Sequence, residues 1–293
     1  MYAGHRGSYP GGPTGVFARR GRSPQSSMLQ VEFSQLSDTG RRREHNEDYI
    51  GHVVPETPEL ARSRGWLFAL ADGVGGQDRG EVASRTAVES LLAGFLDADP
   101  GELHTSLLPR LVQAANTHVQ EAAMEPGKNI VTIATTLVAC ALRFDRAVVA
   151  HVGDSRCYLI RRGGANALTR DHTVANEQFS MGLLSAREAA TVRTRHVLSR
   201  SLGNDLFVNP ETSEHQVLAG DVLVLCSDGL HGAVTPSEMA HIISHTDDLQ
   251  SAAKKLVEVA NQKDGSDNIS VQLIRVRSVE RIGMYRGRPY KLL

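Results

Sequence analysis

Apolar and polar positions along the chain separate predicted strands from predicted helices. Unbroken apolar runs at residues 67–72 and 221–227 are typical of buried strands, and residues 31–40 alternate and end in a turn signal. Residues 132–144 and 147–160 are two further strand-like runs separated by an Asp-Arg turn, which predicts a hairpin. Helical apolar spacing recurs over residues 81–96, 103–124, 236–243 and 249–261, with a shorter helical piece at 185–192 and a final strand at 268–276.

The order of these elements predicts the fold class. The helices come in pairs between groups of strands, and several links are short enough to be hairpins. This order favours an antiparallel α+β sandwich over a doubly wound parallel sheet, because a parallel sheet needs a crossover helix between successive strands.

The two ends of the chain differ from its centre. Residues 1–28 are rich in Gly, Arg, Pro and Ser and lack apolar periodicity, which predicts a disordered tail. Residues 29–277 form the predicted folded domain. Residues 278–293 carry several basic side chains and are interpreted as a basic tail that either docks a partner or folds onto the domain.

Composition narrows the possible partners. The formal net charge of −1 over 293 residues gives no global electrostatic case for binding nucleic acid or membranes. No stretch approaches the roughly 20 apolar residues that a membrane span needs. Cys140, Cys157 and Cys226 all lie in apolar, strand-like runs, which predicts reduced, buried thiols in a cytoplasmic protein.

Candidate chemistry lies where acidic residues meet apolar strands. Asp72 and Asp228 each follow an apolar run and precede a glycine. A carboxylate beside buried apolar surface is costly unless a cation offsets its charge, and Mg²⁺ and Mn²⁺ prefer oxygen ligands. Each motif alone is a common turn, but five of them together predict a shared metal site: HNED at 45–48, ADG at 71–73, GDSR at 153–156, SDG at 227–229 and SDN at 266–268.

The order and spacing of these and other motifs resemble a known enzyme family. The bacterial branch of the metal-dependent protein serine/threonine phosphatases (type 2C, the PPM family) has a similar series, which here reads NED, ADGVGG, GEVAS, GDSR, LTRDH, SRSLG, CSDGL and DNIS. The resemblance extends from about Val31 to Val276. It implies a four-layer αββα sandwich, in which pairs of helices flank two antiparallel sheets and a dinuclear metal centre lies in the cleft at one end.

The resemblance also implies the metal ligands. Asp72 would bridge two metal ions, and Asp228 and Asp267 would complete the coordination of the first ion. Glu47 and the backbone carbonyl of Gly73 would serve the second ion. The cofactor implied is Mn²⁺ or Mg²⁺, with two or three ions.

Further roles follow from the same resemblance. Asp48 would bind waters held by the metals, Asp154 matches the position of a third, weaker metal, and Arg43 matches the phosphate-binding arginine. Val74 replaces a histidine that eukaryotic relatives use as a proton donor, which leaves the general acid unassigned. Residues 169–200 match a mobile flap beside the cleft.

The function implied is hydrolysis of phosphoserine and phosphothreonine in proteins by a water that bridges the two metals. The partners expected are phosphorylated proteins and a serine/threonine kinase whose action the enzyme, expected to be a monomer, reverses. A non-catalytic phosphoprotein-binding module is one alternative, but such a protein would usually lack one of the carboxylates. A metal-dependent phosphodiesterase or nuclease is another, and the near-neutral charge disfavours it.

Overall fold

The first of two five-stranded sheets contains both ends of the folded domain. The computed structural model describes residues 28–74, 79–124, 133–285 and 288–291. The strands of the first sheet are β1 (Gln30–Asp38), β6 (Arg156–Arg161), β7 (Gly164–Ala167), β9 (Val222–Cys226) and β10 (Ile269–Ser278). Their spatial order is β1-β10-β9-β6-β7, and every neighbouring pair is antiparallel.

The second sheet is built from the strands that lie between these in the chain. They are β2 (Asp48–Val53), β3 (Trp66–Asp72), β4 (Leu137–Arg143), β5 (Arg146–Val152) and β8 (Glu211–Gln216). Their spatial order is β2-β3-β4-β5-β8, again with antiparallel neighbours throughout. The hairpin predicted between β4 and β5 is therefore present.

Helices cover the outer face of each sheet. Against the second sheet pack α2 (Gly80–Asp97) and α3 (His104–Ala123), which follow the short helix α1 (Pro58–Ser63) in the chain. Against the first sheet pack α6 (Asp228–His231), α7 (Pro236–Ser244) and α8 (Leu249–Lys263). The start of α7 is fixed by a capping box, in which Thr235 and Glu238 satisfy each other's backbone N–H groups.

A third apolar layer lies between the sheets. Along β3, Leu67 and Ala69 point toward α2 and α3, whereas Phe68 and Leu70 point toward the other sheet. Successive residues of a strand face opposite sides, so a strand that is covered on both faces must be apolar at every position. This double burial explains the unbroken apolar runs, and the predicted four-layer α+β sandwich is confirmed.

One predicted strand is wrong. Residues 147–160 are not one strand, because β5 and β6 belong to different sheets and the chain turns between them at residues 153–155. Gly153 has a φ of +100°, and a Cβ atom there would lie 2.7 Å from the Cβ of Thr136. The change of sheet thus depends on a glycine, which the apolar pattern around it does not reveal. Strand β2 also lies in a stretch that the pattern predicts to be a polar loop, because its half-buried positions mix Tyr, Ile, Gly and His and give no apolar run.

The predicted flap and tails are described to different extents. The flap contains α4 (Val174–Ser180), α5 (Ala186–Ala189) and a 3₁₀ turn (Arg193–His196). The predicted N-terminal tail lies outside the described residues except for Met28. Within the predicted basic tail, β11 (Ile282–Tyr285) and β12 (Arg288–Lys291) form an antiparallel pair.

Of the helices described, none is both long enough and apolar enough to cross a membrane.

Candidate metal centre

Two aspartates are opposed at one end of the second sheet. Asp48 begins β2, Asp72 ends β3, and the two are direct cross-strand partners. Such partners project on the same side of a sheet with Cβ atoms about 4.5–5.5 Å apart. Burial raises the pKa of Asp72 well above its ordinary value, and the charges of Asp48 and Asp228 raise it further. The pair is therefore costly at neutral pH without a cation.

The first sheet contributes two more aspartates to the same place. Asp228 is the first residue of α6, directly after the N-cap Ser227 that follows β9, and Asp267 lies two residues before β10. The antiparallel pairing of β9 with β10 brings these two positions together. Burial raises the pKa of Asp228, and the neighbouring charge of Asp267 adds to the increase.

Arg43 lies at the mouth of this acidic group. Its Nη2 donates to Oδ2 of Asp267 at 2.9 Å, and its Nη1 lies 3.9 Å from Oε2 of Glu47. The arginine side chain is 41% exposed, compared with 19% for Glu47. The hydrogen bond to Asp267 raises the pKa of Arg43, while burial raises the pKa of Glu47 against the opposing effect of the guanidinium. The arginine thus faces solvent with a carboxylate on either side.

Gly73 is a point of close backbone approach beside Glu47. A Cβ atom at Gly73 would lie 2.4 Å from the carbonyl oxygen of Gly80 and 2.8 Å from that of Glu47. The Gly73 N–H donates to the Glu47 carbonyl at 3.1 Å. Residue 73 must be glycine for β3, the Glu47 loop and the start of α2 to meet this closely.

Asp154 joins the group from the turn between β5 and β6. It is 7% exposed, and its backbone carbonyl accepts a hydrogen bond from Nε2 of His231 at 3.0 Å. Burial raises the pKa of Asp154 to about 7, with the charge of Asp228 as the next contribution. The carboxylate therefore faces the same acidic cleft as Asp228.

The donor set suits a hard divalent cation. Among the residues described, Oδ1 of Asp48 and Oδ1 of Asp228 are buried oxygens without a hydrogen-bond partner. Buried polar atoms are normally satisfied, and several carboxylates that raise one another's pKa call for a compensating charge. The predicted ligands offer oxygen atoms only, which is the preference of Mg²⁺ and Mn²⁺.

Three polar residues that the sequence did not single out support these carboxylates. The hydroxyl of Ser227 donates to Oδ2 of Asp48 at 2.8 Å. The Asn268 side chain accepts from the Glu47 N–H at 2.8 Å and donates to two loop carbonyls at 2.9 Å each. Thr136 Oγ1 accepts from the Asp72 N–H at 2.9 Å. Ser227 and Asn268 adjoin predicted ligands within the SDG and SDN motifs, so the sequence could have indicated both as residues that support the ligands.

A separate group of metal-binding residue types lies behind the Asp154 turn. Candidate ligand atoms of His151, His172 and Glu211 all lie within 4.8 Å of one another. The Gly153 N–H donates to Nδ1 of His172 at 3.3 Å, so Nε2 carries the proton and faces Oε2 of Glu211 at 3.5 Å. Burial lowers the pKa of His172 to about 4, with His151 as the next cause. A neutral, hydrogen-bonded histidine fits this arrangement better than a metal ligand does.

The structure thus brings together every residue that the sequence predicted for the site. Asp72 and Asp228 lie in one acidic cleft with Asp154, and Arg43 contacts Asp267 at its mouth. The family model described as protein phosphatase 2C matches residues 41–273, a range that includes all of these positions. The chain belongs to the protein phosphatase 2C family.

Similar proteins agree on the activity of this protein phosphatase 2C. The serine/threonine phosphatase stp of Listeria innocua is 34% identical over 270 residues, which cover 89% of this chain and 99% of that protein. The S. agalactiae serine/threonine phosphatase superposes with a TM-score of 0.76 at 31% identity, covering 84% of this chain and 100% of the other. The catalytic domain of the phosphatase PstP, solved with two manganese ions, gives a TM-score of 0.71 at 31% identity, covering 85% and 99%. The chain is a protein serine/threonine phosphatase of a metal-dependent family.

Proposed function

We propose that this protein phosphatase 2C hydrolyses phosphoserine and phosphothreonine of proteins in the acidic cleft between its two sheets, with Mn²⁺ or Mg²⁺ as cofactor. The observation that carries the proposal is the convergence of buried carboxylates from both sheets beneath an exposed arginine. Burial and the charge of Asp228 raise the pKa of both Asp72 and Asp154, and Arg43 is 41% exposed above them. A cleft that attracts cations and a guanidinium that faces solvent suit a phosphate ester.

The carboxylates divide into two ligand groups in this proposal. Asp72, opposed to Asp48 and in the field of Asp228, is the residue assigned to both metals. Asp228 and Asp267, from the first sheet, would complete the coordination of the first ion. Glu47 and the Gly73 carbonyl would serve the second ion, and the hydrogen bond from the Gly73 N–H to the Glu47 carbonyl, which keeps the two residues adjacent, supports this pairing.

Asp48 and Asp154 have outer roles. Asp48 already accepts a hydrogen bond from Ser227 with one oxygen and presents the other unpaired, so it suits waters around the metals. Asp154 is assigned to a third metal. Two bound ions would polarise a water and neutralise charge on the phosphoryl oxygens, and the similarity to the manganese-bound PstP domain supports two Mn²⁺ ions.

Arg43 holds the phosphate in this proposal. A guanidinium has five N–H donors in a planar fork, and the bond to Asp267 uses one of them. The others are free to hold two phosphate oxygens at once, which fixes the orientation of the phosphorus relative to the carboxylates. Asp267 and Glu47 keep the guanidinium in place before the substrate arrives.

The open mouth of the cleft suits a phosphorylated side chain on a protein surface. Asp267 is 33% exposed beside Arg43, so a protruding phosphoserine or phosphothreonine reaches the site without burial of its whole chain. The enzyme acts as a monomer and reverses a serine/threonine kinase. Phosphoproteomics after deletion of the gene identifies the substrates, and light scattering of the purified protein measures its mass.

A phosphothreonine peptide tests the reaction directly. Wild type should release phosphate with Mn²⁺ and not after complete chelation. Asp72→Asn should abolish turnover, because it removes the shared ligand. The matched control is Asp145→Asn, which neutralises another buried aspartate next to β5, at the opposite end of the same sheet.

Three outcomes contradict the proposal. Turnover that survives chelation excludes the two-metal reaction. Faster cleavage of bis(p-nitrophenyl) phosphate than of the phosphopeptide favours a phosphodiesterase. Phosphopeptide binding without turnover at saturating Mn²⁺ favours a non-catalytic binding module.

A further inference from the structure

The turn that carries Asp154 is fixed by contacts at all three of its residues and at Arg156, which follows it. Gly153 contacts His172 and Arg156 contacts Asp171, so residues on either side of Asp154 are held by neighbouring residues of one segment. The Asp154 carbonyl accepts from His231 at 3.0 Å, and Ser155 Oγ lies 2.7 Å from Thr136 Oγ1. Thr136 in turn accepts from the Asp72 N–H. The turn is therefore tied to the metal centre and to the start of the flap.

The contact between Arg156 and Asp171 is a two-pronged ion pair. Arg156 Nε donates to Oδ1 of Asp171 at 2.7 Å, and Nη2 donates to Oδ2 at 2.6 Å. The remaining Nη1 donates to the Tyr158 hydroxyl at 2.9 Å. This fork-to-fork geometry defines both distance and orientation, so it fixes the chain two residues after Asp154.

The contact between Gly153 and His172 is also double. The His172 N–H donates to the Gly153 carbonyl at 2.9 Å, and the Gly153 N–H donates to Nδ1 of His172 at 3.3 Å. The imidazole is 2% exposed and stacks on His151 with ring centroids 4.6 Å apart. Its far side faces Glu211. The ring therefore cannot shift without disturbing the residue before Asp154.

We infer that Asp171 and His172 are positioning residues that fix the backbone on both sides of Asp154 and so orient its carboxylate for the third metal. This inference rests on the proposed function, which assigns Asp154 to that metal. Both residues lie within the predicted flap, at residues 169–200, close to its first residue. The affinity of the third metal and the attachment of the flap are therefore set by the same contacts.

The test uses two matched variants, each of which breaks an arginine ion pair at one end of β6. Asp171→Asn breaks the ion pair at Arg156, the first residue of β6. Asp221→Asn breaks an equivalent pair at Arg161, the last residue of β6, where Nε and Nη2 donate to Asp221 at 2.9 and 2.7 Å. Both variants lose a two-pronged arginine contact, but only the first lies beside Asp154.

Calorimetric titration of the metal-free proteins with Mn²⁺ measures the affinities. Asp171→Asn should weaken the weakest Mn²⁺ site about tenfold, the lower range for a residue that orients a metal ligand, and leave the two tighter sites unchanged. Asp221→Asn should leave all sites unchanged. Amide hydrogen exchange of Gly153 in the metal-free state should accelerate in Asp171→Asn only. The reason is that Nδ1 of His172, which accepts the Gly153 N–H, is no longer held by the neighbouring ion pair.

Phosphopeptide kinetics distinguish positioning from general damage. Asp171→Asn should raise the Mn²⁺ concentration that gives half-maximal activity about tenfold, with the KM for phosphopeptide unchanged. Arg156→Lys, which keeps the charge and loses the fork, should give the same shift, and the double variant should add little.

The outcomes separate the two proposals. If wild type shows Mn²⁺-dependent turnover and Asp171→Asn matches Asp221→Asn in every measurement, the positioning role is wrong and the proposed function stands. If wild type binds Mn²⁺ at fewer than three sites, the role at a third metal is also wrong. If wild type has no metal-dependent turnover, the proposed function fails and the inference fails with it.

Discussion

Asn268 accepts a hydrogen bond from the backbone N–H of Glu47 at 2.8 Å, and this bond joins the two sheets at the metal centre. Asn268 immediately precedes β10 of the first sheet, whereas Glu47 immediately precedes β2 of the second. The same side chain donates to the carbonyls of Thr39 and His45. One amide thus organises the loop that carries both Arg43 and Glu47.

Asn268→Ala should therefore destabilise both the fold and the metal site. The change removes three hydrogen bonds from a residue that is 3% exposed, at about 1 kcal/mol each, with a further cost for groups left unsatisfied. We expect a loss of roughly 2–4 kcal/mol in urea unfolding of the metal-free protein and weaker Mn²⁺ binding. Asn166→Ala on the exposed strand β7 is the control. Equal stability of the two variants would contradict the organising role.

Asp72→Asn should have opposite effects on stability with and without metal. At neutral pH burial and the neighbouring carboxylates make Asp72 costly to ionise, so its neutralisation should raise the melting temperature in chelator. Bound metal stabilises wild type by about 2.7 kcal/mol per site at a concentration one hundred times Kd, and the variant should lose most of this gain. Differential scanning calorimetry with EDTA and with Mn²⁺ measures both effects. A variant that gains as much from Mn²⁺ as wild type would exclude Asp72 as a ligand.

The pH dependence of stability should report the burial of Asp154. Its pKa rises from the ordinary value of 3.8 to about 7 on folding, so between these values the folded state binds more protons than the unfolded state. Stability contributed by the protonated carboxyl is present at low pH and is lost as pH rises through about 7. Each pKa unit corresponds to about 1.4 kcal/mol.

Comparison with Asp154→Asn isolates this effect. Burial lowers the pKa of His231 to about 4, which gives the opposite pH dependence below neutrality, but this contribution is common to both proteins. The metal-free variant should therefore gain stability relative to wild type between pH 5 and pH 8 in urea unfolding. Asp99→Asn, an exposed change, should show no such gain. A constant difference between variant and wild type would refute the burial of this charge.

Gly73→Ala should disturb the metal centre through the backbone. The added methyl group would lie 2.4 Å from the Gly80 carbonyl oxygen, so β3 and the start of α2 must separate, at a cost of about 1–3 kcal/mol. We expect reduced thermal stability and weaker Mn²⁺ binding. Gly164→Ala is the control, since its nearest neighbour would be 3.6 Å away. Unchanged Mn²⁺ affinity in Gly73→Ala would show that the close approach has no bearing on the site.

Arg43→Ala should impair substrate use while leaving the metals bound. Loss of a guanidinium that holds phosphate oxygens removes a charge-assisted contact of about 1.5–3 kcal/mol, which corresponds to roughly a tenfold to hundredfold fall in kcat/KM. Arg42→Ala, one residue earlier in the same exposed loop, is the control. Equal kinetics for both variants would remove Arg43 from the site.

The carboxylates predicted from the sequence lie close together in the structure, whereas part of the predicted path of the chain is wrong. Asp72 and Asp228 were recognisable because each ends an apolar run at a glycine, a local pattern with a clear energetic meaning. Their convergence was not local, since it requires the two sheets to pack face to face. The element order and the repeated acidic motifs pointed to a sandwich with one shared site, and the family resemblance supplied the arrangement of its sheets.

The remaining features depend on long-range contacts that leave little trace in the pattern. The chain changes sheet at Gly153, where a side chain would collide with Thr136, and Thr136 is 17 positions away in the sequence. The Asp171–Arg156 pair likewise joins segments that the sequence describes separately. Edge strand β2 was missed because its half-buried residues give no apolar run.

The pairing of β1 with β10 has a consequence for synthesis of the protein on the ribosome. The first strand of the domain has its partner in the last long strand, with Gln30 opposite Ser278 and Asp38 opposite Ile269. Asp267 and Asn268 emerge only just before that partner. The nascent chain therefore carries an incomplete set of the predicted carboxylate ligands until almost the whole domain has been translated, and we expect phosphatase activity to begin only then.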